Sequence, residues 1–298
     1  MRIQTNLSTC IGLGTAAVLA LSGCANNTEG GAQPLGEAAV VSQQADLASL
    51  VPADIRAKGV LKIGIGPTYP PNEYVDANGK IVGWDVELFD AVAAKLGLKT
   101  NYVDATFPQI IGGLGVGTYD LGNSSFTDTK EREKTVDFVT YFNAGSQWAS
   151  KKGVTVDPEN ACGLKVAAQV DTNQLLVDLP ARSKKCVAAG KKAITIQSYA
   201  DQSVASSAVV LGKADAVVAD SPVIAYAVKQ SGEKLQLDGA LYEAAPYGWP
   251  VKKDSPFGTA IQKALEALIA DGTYTQILTR WGIEGGAIDK PVINGAVY

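Results

Sequence analysis

The sequence predicts an α/β protein built on parallel β-sheet, and three observations carry that expectation. Short β-prone runs alternate with helical patterns over most of the chain, the order that gives parallel strands joined by crossover helices. The run 214–219 is apolar at nearly every position, as a strand covered on both faces must be. The 298 residues, 46% apolar and 19% charged, suffice for one large domain or two medium ones with real cores.

The elements follow in order. A β-prone run at 60–65 is broken by Tyr69-Pro70-Pro71, since proline cannot continue a ladder. Asp76 to Gly79 signals a hairpin turn before a short run at 80–83. Val86, Phe89, Val92, Ala93 and Leu96 fall on one helical face, with Asp85 expected as the cap and Gly97 as the stop. A strand is expected at 98–103, a glycine-laden helix starting at Pro108, a strand at 119–121 and a polar helix at 128–134. A second series follows: strands at 164–169, 193–197 and 214–219, and helices at 172–179, 199–211 and 222–230. Ser255-Pro256 opens an amphipathic helix with Ile261, Leu265, Leu268 and Ile269 on one stripe. Asp271-Gly272 ends it, and a short helix at 274–281 precedes a Gly/Ala-rich tail.

Composition narrows function by exclusion. No histidine is present and the one methionine is Met1, so Ser-His-Asp triads, Cys-His pairs and histidine-ligated metals are ruled out. The net charge of −4, without a long basic run, argues against a nucleic-acid partner. No cofactor or metal is expected.

The N-terminus reads as a targeting segment. Arg2 precedes a short apolar run at 11–21, too short to span a bilayer, which ends in Leu21-Ser22-Gly23-Cys24. This resembles the bacterial lipobox. Residues 1–23 would be removed as a lipoprotein signal peptide and Cys24 acylated, against the alternative of a plain signal peptide cut nearby. The protein is then exported and lipid-anchored, on the outer face of the cell membrane or in the periplasm. Residues 24–50, rich in Asn, Gly, Gln, Ala and Ser, read as a flexible tether. Cys10 lies in the removed segment. Cys162 and Cys186 remain as a pair in an oxidising compartment, where a disulfide is expected, the alternative being two buried thiols.

Several ordered segments carry a resemblance: Tyr69-Pro-Pro-Asn-Glu-Tyr74, Gly83-Trp-Asp-Val-Glu-Leu88, the 124–132 stretch from Ser124 to Arg132, Val136-Asp-Phe138, Ala219-Asp-Ser-Pro222, and Asp271-Gly-Thr-Tyr274 with Trp281-Gly282. Together they resemble the extracellular solute-binding proteins, family 3, of polar amino-acid ABC importers, over about 54–283. The resemblance implies a two-lobed periplasmic-binding-protein-like fold (type II) with ligand in the interlobe cleft. Lobe one would hold 54–145 plus 249–298 and lobe two 146–248. Two hinge crossings are expected near 145–148 and 247–249. It implies a monomer with no enzymatic activity that captures a small polar amino acid by hinge closure and delivers it to ABC permease membrane subunits.

The same resemblance assigns roles. Arg132 would take the ligand carboxylate, its planar fork matching two oxygens. Asp220, at the carboxyl end of an apolar strand, would take the ammonium or cap the helix after it. Ser125 and Thr127 would supply hydroxyl and backbone contacts. Thr172, before a helix, would complete the carboxylate site or act as a cap. Asp171 stands where the family usually has glycine. Tyr69 and Phe107 would wall the side-chain pocket, with a core role open for Phe107. Two departures bear on specificity. Gly66 stands where binders of basic amino acids often carry an acid, and Asn72 replaces an aromatic. Both point to a glutamine- or glutamate-like ligand. The rivals are a cyclic-acid dehydratase on the same fold, with Glu73 as acid, and a ligand-sensing lipoprotein.

Overall fold

A computed structural model describes residues 40–298. The expected signal peptide, Cys24 and residues 25–39 of the expected tether lie outside the described residues. Two short helices, α1 (Ala45–Ser49) and α2 (Ala53–Lys58), lead into β1 (Val60–Ile65). The tether therefore does not reach residue 50. Leu47 and Val51 are buried in the core beside it, and the Gln44 amide donates to the Lys95 carbonyl at 2.9 Å.

After β1 come β2 (Thr68–Tyr69), β3 (Glu73–Val75) and β4 (Ile81–Val82), which form a small antiparallel sheet of their own. Then follow α3 (Trp84–Lys95), β5 (Lys99–Asp104), α4 (Phe107–Gly115), β6 (Leu121–Gly122), α5 (Lys130–Glu133) and the long β7 (Val136–Lys151). The next series is β8 (Lys165–Gln169), α6 (Leu179–Ala188), β9 (Thr195–Tyr199), α7 (Gln202–Val210), β10 (Ala216–Asp220) and α8 (Ser221–Gln230). The long β11 (Leu235–Lys252), α9 (Phe257–Ala270) and α10 (Thr273–Trp281) complete it.

The main sheet has eight strands in the order β5-β1-β6-β11-β7-β10-β8-β9. Its outer strands are parallel: β1 with β5 and β6, and β8 with β9 and β10. The central pair β7 and β11 runs antiparallel through both halves. One core gathers α3, α9 and α10 around Trp84, Phe89 and Trp249, and others gather α6, α7 and α8 around Trp148, Val217 and Ile224. The ladder between β7 and β11 loses register between Asp238 and Ala245. It shifts again between Tyr247 and Gly248, within the expected second crossing, where Tyr247 faces Phe142 and Trp249 faces Val139. Buried aromatic packing holds them there, with Trp249 stacked on Tyr141 at 4.1 Å.

Two local expectations are corrected. The helix expected at 172–179 is a π-helical turn at Gln174–Asp178 that runs into α6, whose first turn carries Pro180. Asp85 does not cap α3. Gly83 occupies that position, at φ 145°, where a Cβ would lie 1.9 Å from the Asn72 carbonyl oxygen. Only glycine allows α3 to abut the Asn72 turn so closely.

Cys162 and Cys186 form a disulfide with Cα atoms 5.5 Å apart, tying the segment before β8 to α6. The bridge closes a loop of sequence separation 24, so its loss should cost about 3 kcal/mol through the unfolded chain's regained entropy. Urea denaturation of the Cys162→Ser/Cys186→Ser variant should show that loss with binding retained. An unchanged midpoint would contradict it.

Candidate functional site

The fold brings strand ends together. Gly66 follows β1, Ser124 and Ser125 follow β6, Thr172 follows β8, and Asp220 ends β10. All are carboxyl ends of strands, where open α/β sheets bind ligands. They surround a cleft also lined by Tyr69, Glu73, Phe107, Thr127, Arg132, Gln169, Asn173 and Gln174.

Arg132 sits in the single turn α5, begun by Thr129, whose hydroxyl accepts from the Arg132 amide at 3.3 Å. Its guanidinium donates to the Thr127 carbonyl at 2.9 Å and, across the cleft, to the Asp171 carbonyl at 3.0 Å. The group lies 5.5 Å from the centroids of Phe107 and Phe126, which stack at 4.3 Å. Phe107 thus lines the cleft and packs into the aromatic pair beneath it. Desolvation lowers the Arg132 pKa, and the nearby Asp171 and Asp220 raise it, so the arginine stays charged.

Asp220 is 8% exposed and faces inward. It occupies the position before α8, yet its side chain makes no capping hydrogen bond. Its Oδ2 accepts from Tyr69 at 2.9 Å and Tyr247 at 2.6 Å, and its Oδ1 from Gln174 Nε2 at 2.8 Å. Burial raises its pKa, against those donors and Arg132. Tyr69 is thus more than a wall: its hydroxyl joins the small sheet to β10, and its ring packs with the α7–α8 core. Thr172 donates to the Gln169 carbonyl at 2.8 Å and accepts from the Leu175 amide at 3.3 Å. It both lines the cleft and holds the π-turn. Asp171 adopts φ 64°, the left-handed conformation that explains glycine's usual place there.

Two carboxyl groups lie deeper. Glu73 and Asp85 are both 0% exposed. Ser125 Oγ lies 2.9 Å from Glu73 Oε2 and 3.2 Å from Asp85 Oδ2, and Ser124 Oγ lies 3.3 Å from Glu73 Oε1. Asp85 also accepts from Tyr141 OH at 2.6 Å, Trp249 Nε1 at 2.8 Å and the Ser125 amide at 3.2 Å. Burial, then the Asp85 carboxylate, push Glu73 well above the usual carboxylate range. Burial raises Asp85 to about 6 against its four donors.

The specificity residues fare differently. Gly66 lines the cleft, and a Cβ there would lie 3.2 Å from Ser124 Oγ and 3.3 Å from the Ala105 carbonyl. Asn72 does not line the cleft. Its Nδ2 donates to Ser125 Oγ at 2.9 Å and its Oδ1 accepts from Trp84 Nε1 at 2.7 Å. Its amide is spent on the scaffold, so it gives no ground for a glutamine-like ligand. Sequence reasoning missed Tyr247 and Gln174 as partners of Asp220, and no motif marks either. It named Glu73 only as an acid.

Residues 61–284 match the model of the bacterial extracellular solute-binding proteins, family 3. The chain belongs to this family. It is 38% identical to the arginine-binding protein ArgT of Corynebacterium glutamicum, over 94% of this chain and 92% of the relative. An ancestral arginine-binding protein bound to arginine superposes with a TM-score of 0.68 at 35% identity, over 75% of this chain and 98% of that one. An ancestral arginine-binding protein bound to glutamine gives a TM-score of 0.67 at 36% identity, over 76% and 99%. The two-lobed fold expected from the motifs is thereby established, and these relatives are named as binding proteins.

Asp85 is the test of this geometry. Asp85→Ala leaves Tyr141, Trp249 and Ser125 donors buried without an acceptor, each costing about 1–3 kcal/mol. Urea denaturation should show a loss above about 3 kcal/mol. The Asp85 pKa is raised from 3.8 to about 6, so the folded state binds its proton more tightly than the unfolded chain. Its contribution to stability therefore falls as pH rises through that window. Asp85→Asn should abolish that slope; a slope unchanged in the variant would contradict the assignment.

Proposed function

We propose that this protein is the extracytoplasmic amino-acid receptor of an ABC importer and that its ligand carries a cationic side chain. The observation that carries the reading is the charge of the cleft. Its lining holds two carboxyl groups, Glu73 and Asp220, and one guanidinium, Arg132, a net of −1 when all are ionised. Charges out of water need opposite partners. A basic amino acid brings two positive groups and one negative, which balances the site.

In this reading Arg132, with Thr172 and the Thr127 turn, takes the carboxylate. Asp220 takes the ammonium. Tyr69 and Phe107 flank the stem, and Glu73 pairs with the cationic end. Ser125 fixes Glu73 from below. The arginine-binding relatives support this choice. It replaces the glutamine- or glutamate-like ligand, for which Asn72 was the positive ground. The missing acid at Gly66 is supplied by Glu73, at the start of β3 in the small sheet. Lobes at 54–145 plus 249–298 and at 146–248 close on the ligand by hinge motion, and a ligand that binds the closed form better shifts the population. No catalytic step is part of this function, and the closed monomer delivers its ligand to the permease. No helix among the described residues is long and apolar enough to cross a membrane. Attachment runs through acylated Cys24, after removal of 1–23.

Calorimetric titration with the twenty amino acids tests the ligand class. L-Arginine or L-lysine should bind most tightly, and Glu73→Gln should weaken that binding by about 100-fold or more, the cost of unpairing a buried charge. Arg132→Ala should abolish it with little change in melting temperature. A cation binds the ionised Glu73, whose pKa is raised. Binding therefore releases a proton, and affinity should rise with pH up to that pKa. Preference for glutamine with no proton release would contradict the cationic reading, and binding of none would contradict the receptor reading. The mature protein's mass should include acyl chains that Cys24→Ser removes; an unlipidated N-terminus would refute the anchor.

A further inference from the structure

The tail after α10 is built into the site. Val292 and Thr140 exchange hydrogen bonds at 2.9 Å, Ile293 bridges Val139, and Asn294 pairs with the Phe138 backbone at 2.9 Å in both directions. Asn294 Nδ2 also donates to Asp137 at 2.8 Å. These contacts lay residues 292–294 along β7. Beyond them the chain turns to the segment that bears Arg132. The Gly295 amide donates to Asp128 Oδ2 at 2.7 Å and the Ala296 amide to Glu133 Oε1 at 3.1 Å. The Tyr298 carbonyl accepts from the Lys130 amide at 3.0 Å.

Those three partners bracket Arg132. Its helix α5 spans Lys130–Glu133 only, and a single turn is unstable without outside contacts. The strap supplies them from its backbone. Tyr298 does one thing more. Its hydroxyl accepts from Asn173 Nδ2 at 3.3 Å, and Asn173 lines the cleft from the opposite side.

We infer that residues 295–298 position the ligand-binding Arg132 turn, and that Tyr298 ties that turn to Asn173 across the closed cleft. Tyr298 is a positioning residue: it holds the partners of the ligand. The inference rests on the receptor reading for its effect on affinity. Its effect on the turn does not.

Two variants test it. Truncation after Asn294 keeps the β7 pairing and removes the ties to Asp128, Glu133 and Lys130. Tyr298→Phe keeps every backbone tie and removes the hydroxyl, so it carries the test if the truncated chain does not fold. Hydrogen exchange at 130–133 and affinity for L-arginine are both read. Truncation should speed exchange at 130–133 and weaken binding about tenfold or more. Tyr298→Phe should weaken binding roughly two- to tenfold, through faster dissociation, with exchange at 130–133 unchanged. Unchanged exchange on truncation, or faster exchange with unaltered affinity in both variants, would overturn the inference. Should the intact protein bind no amino acid, the receptor reading fails, and exchange at 130–133 alone then decides whether the strap holds the turn.

Discussion

Burial of negative charge is the constraint on which this cleft depends. Glu73, Asp85 and Asp220 are all withdrawn from water within one small region, and the cleft lining offers a single guanidinium in return. Such an arrangement is costly unless each carboxylate is hydrogen-bonded and finds positive charge. The surrounding structure answers the first demand. Asp85 gathers donors from β7, β11 and the turn after β6, and Asp220 gathers Tyr69, Tyr247 and Gln174. In the proposed reading, a cationic ligand answers the second.

This links the scaffold to recognition. Asp85 holds the Ser125 amide, the Ser125 hydroxyl reaches Glu73, and Glu73 faces the cleft. The long strands β7 and β11 carry Tyr141, Tyr247 and Trp249 to these carboxylates and also connect the two halves of the molecule. Closure and ligand contact therefore involve the same residues. Tyr69 with Asp220, and Arg132 with the Asp171 carbonyl, already span the cleft.

Much of this was legible in the sequence. Arg132, Asp220, Ser125, Thr127, Thr172, Tyr69, Phe107 and Gly66 all line one cleft, because most of them sit at a strand end or a helix start, where the alternation of strand and helix can be read. Asn72 was misplaced because sequence does not say which way a residue after Pro-Pro points; Trp84 and Ser125 claim its amide. Asp85 passed for a helix cap because an acid at a helix start ordinarily is one. Tyr247 and Gln174 escaped because a tyrosine in a long strand and a glutamine in a π-turn carry no local signature. The tail escaped for a different reason. Its ties are made by backbone groups, which composition cannot reveal.

In the proposed complex, the opposite charges of one basic amino acid meet Arg132, Asp220 and Glu73 at once. A crystal structure of the complex with L-arginine tests it most directly. The ligand carboxylate should lie on the Arg132 fork, the ammonium on Asp220, and the guanidinium within hydrogen-bonding distance of Glu73. A ligand guanidinium directed away from Glu73, or a carboxylate bound without Arg132, would contradict it.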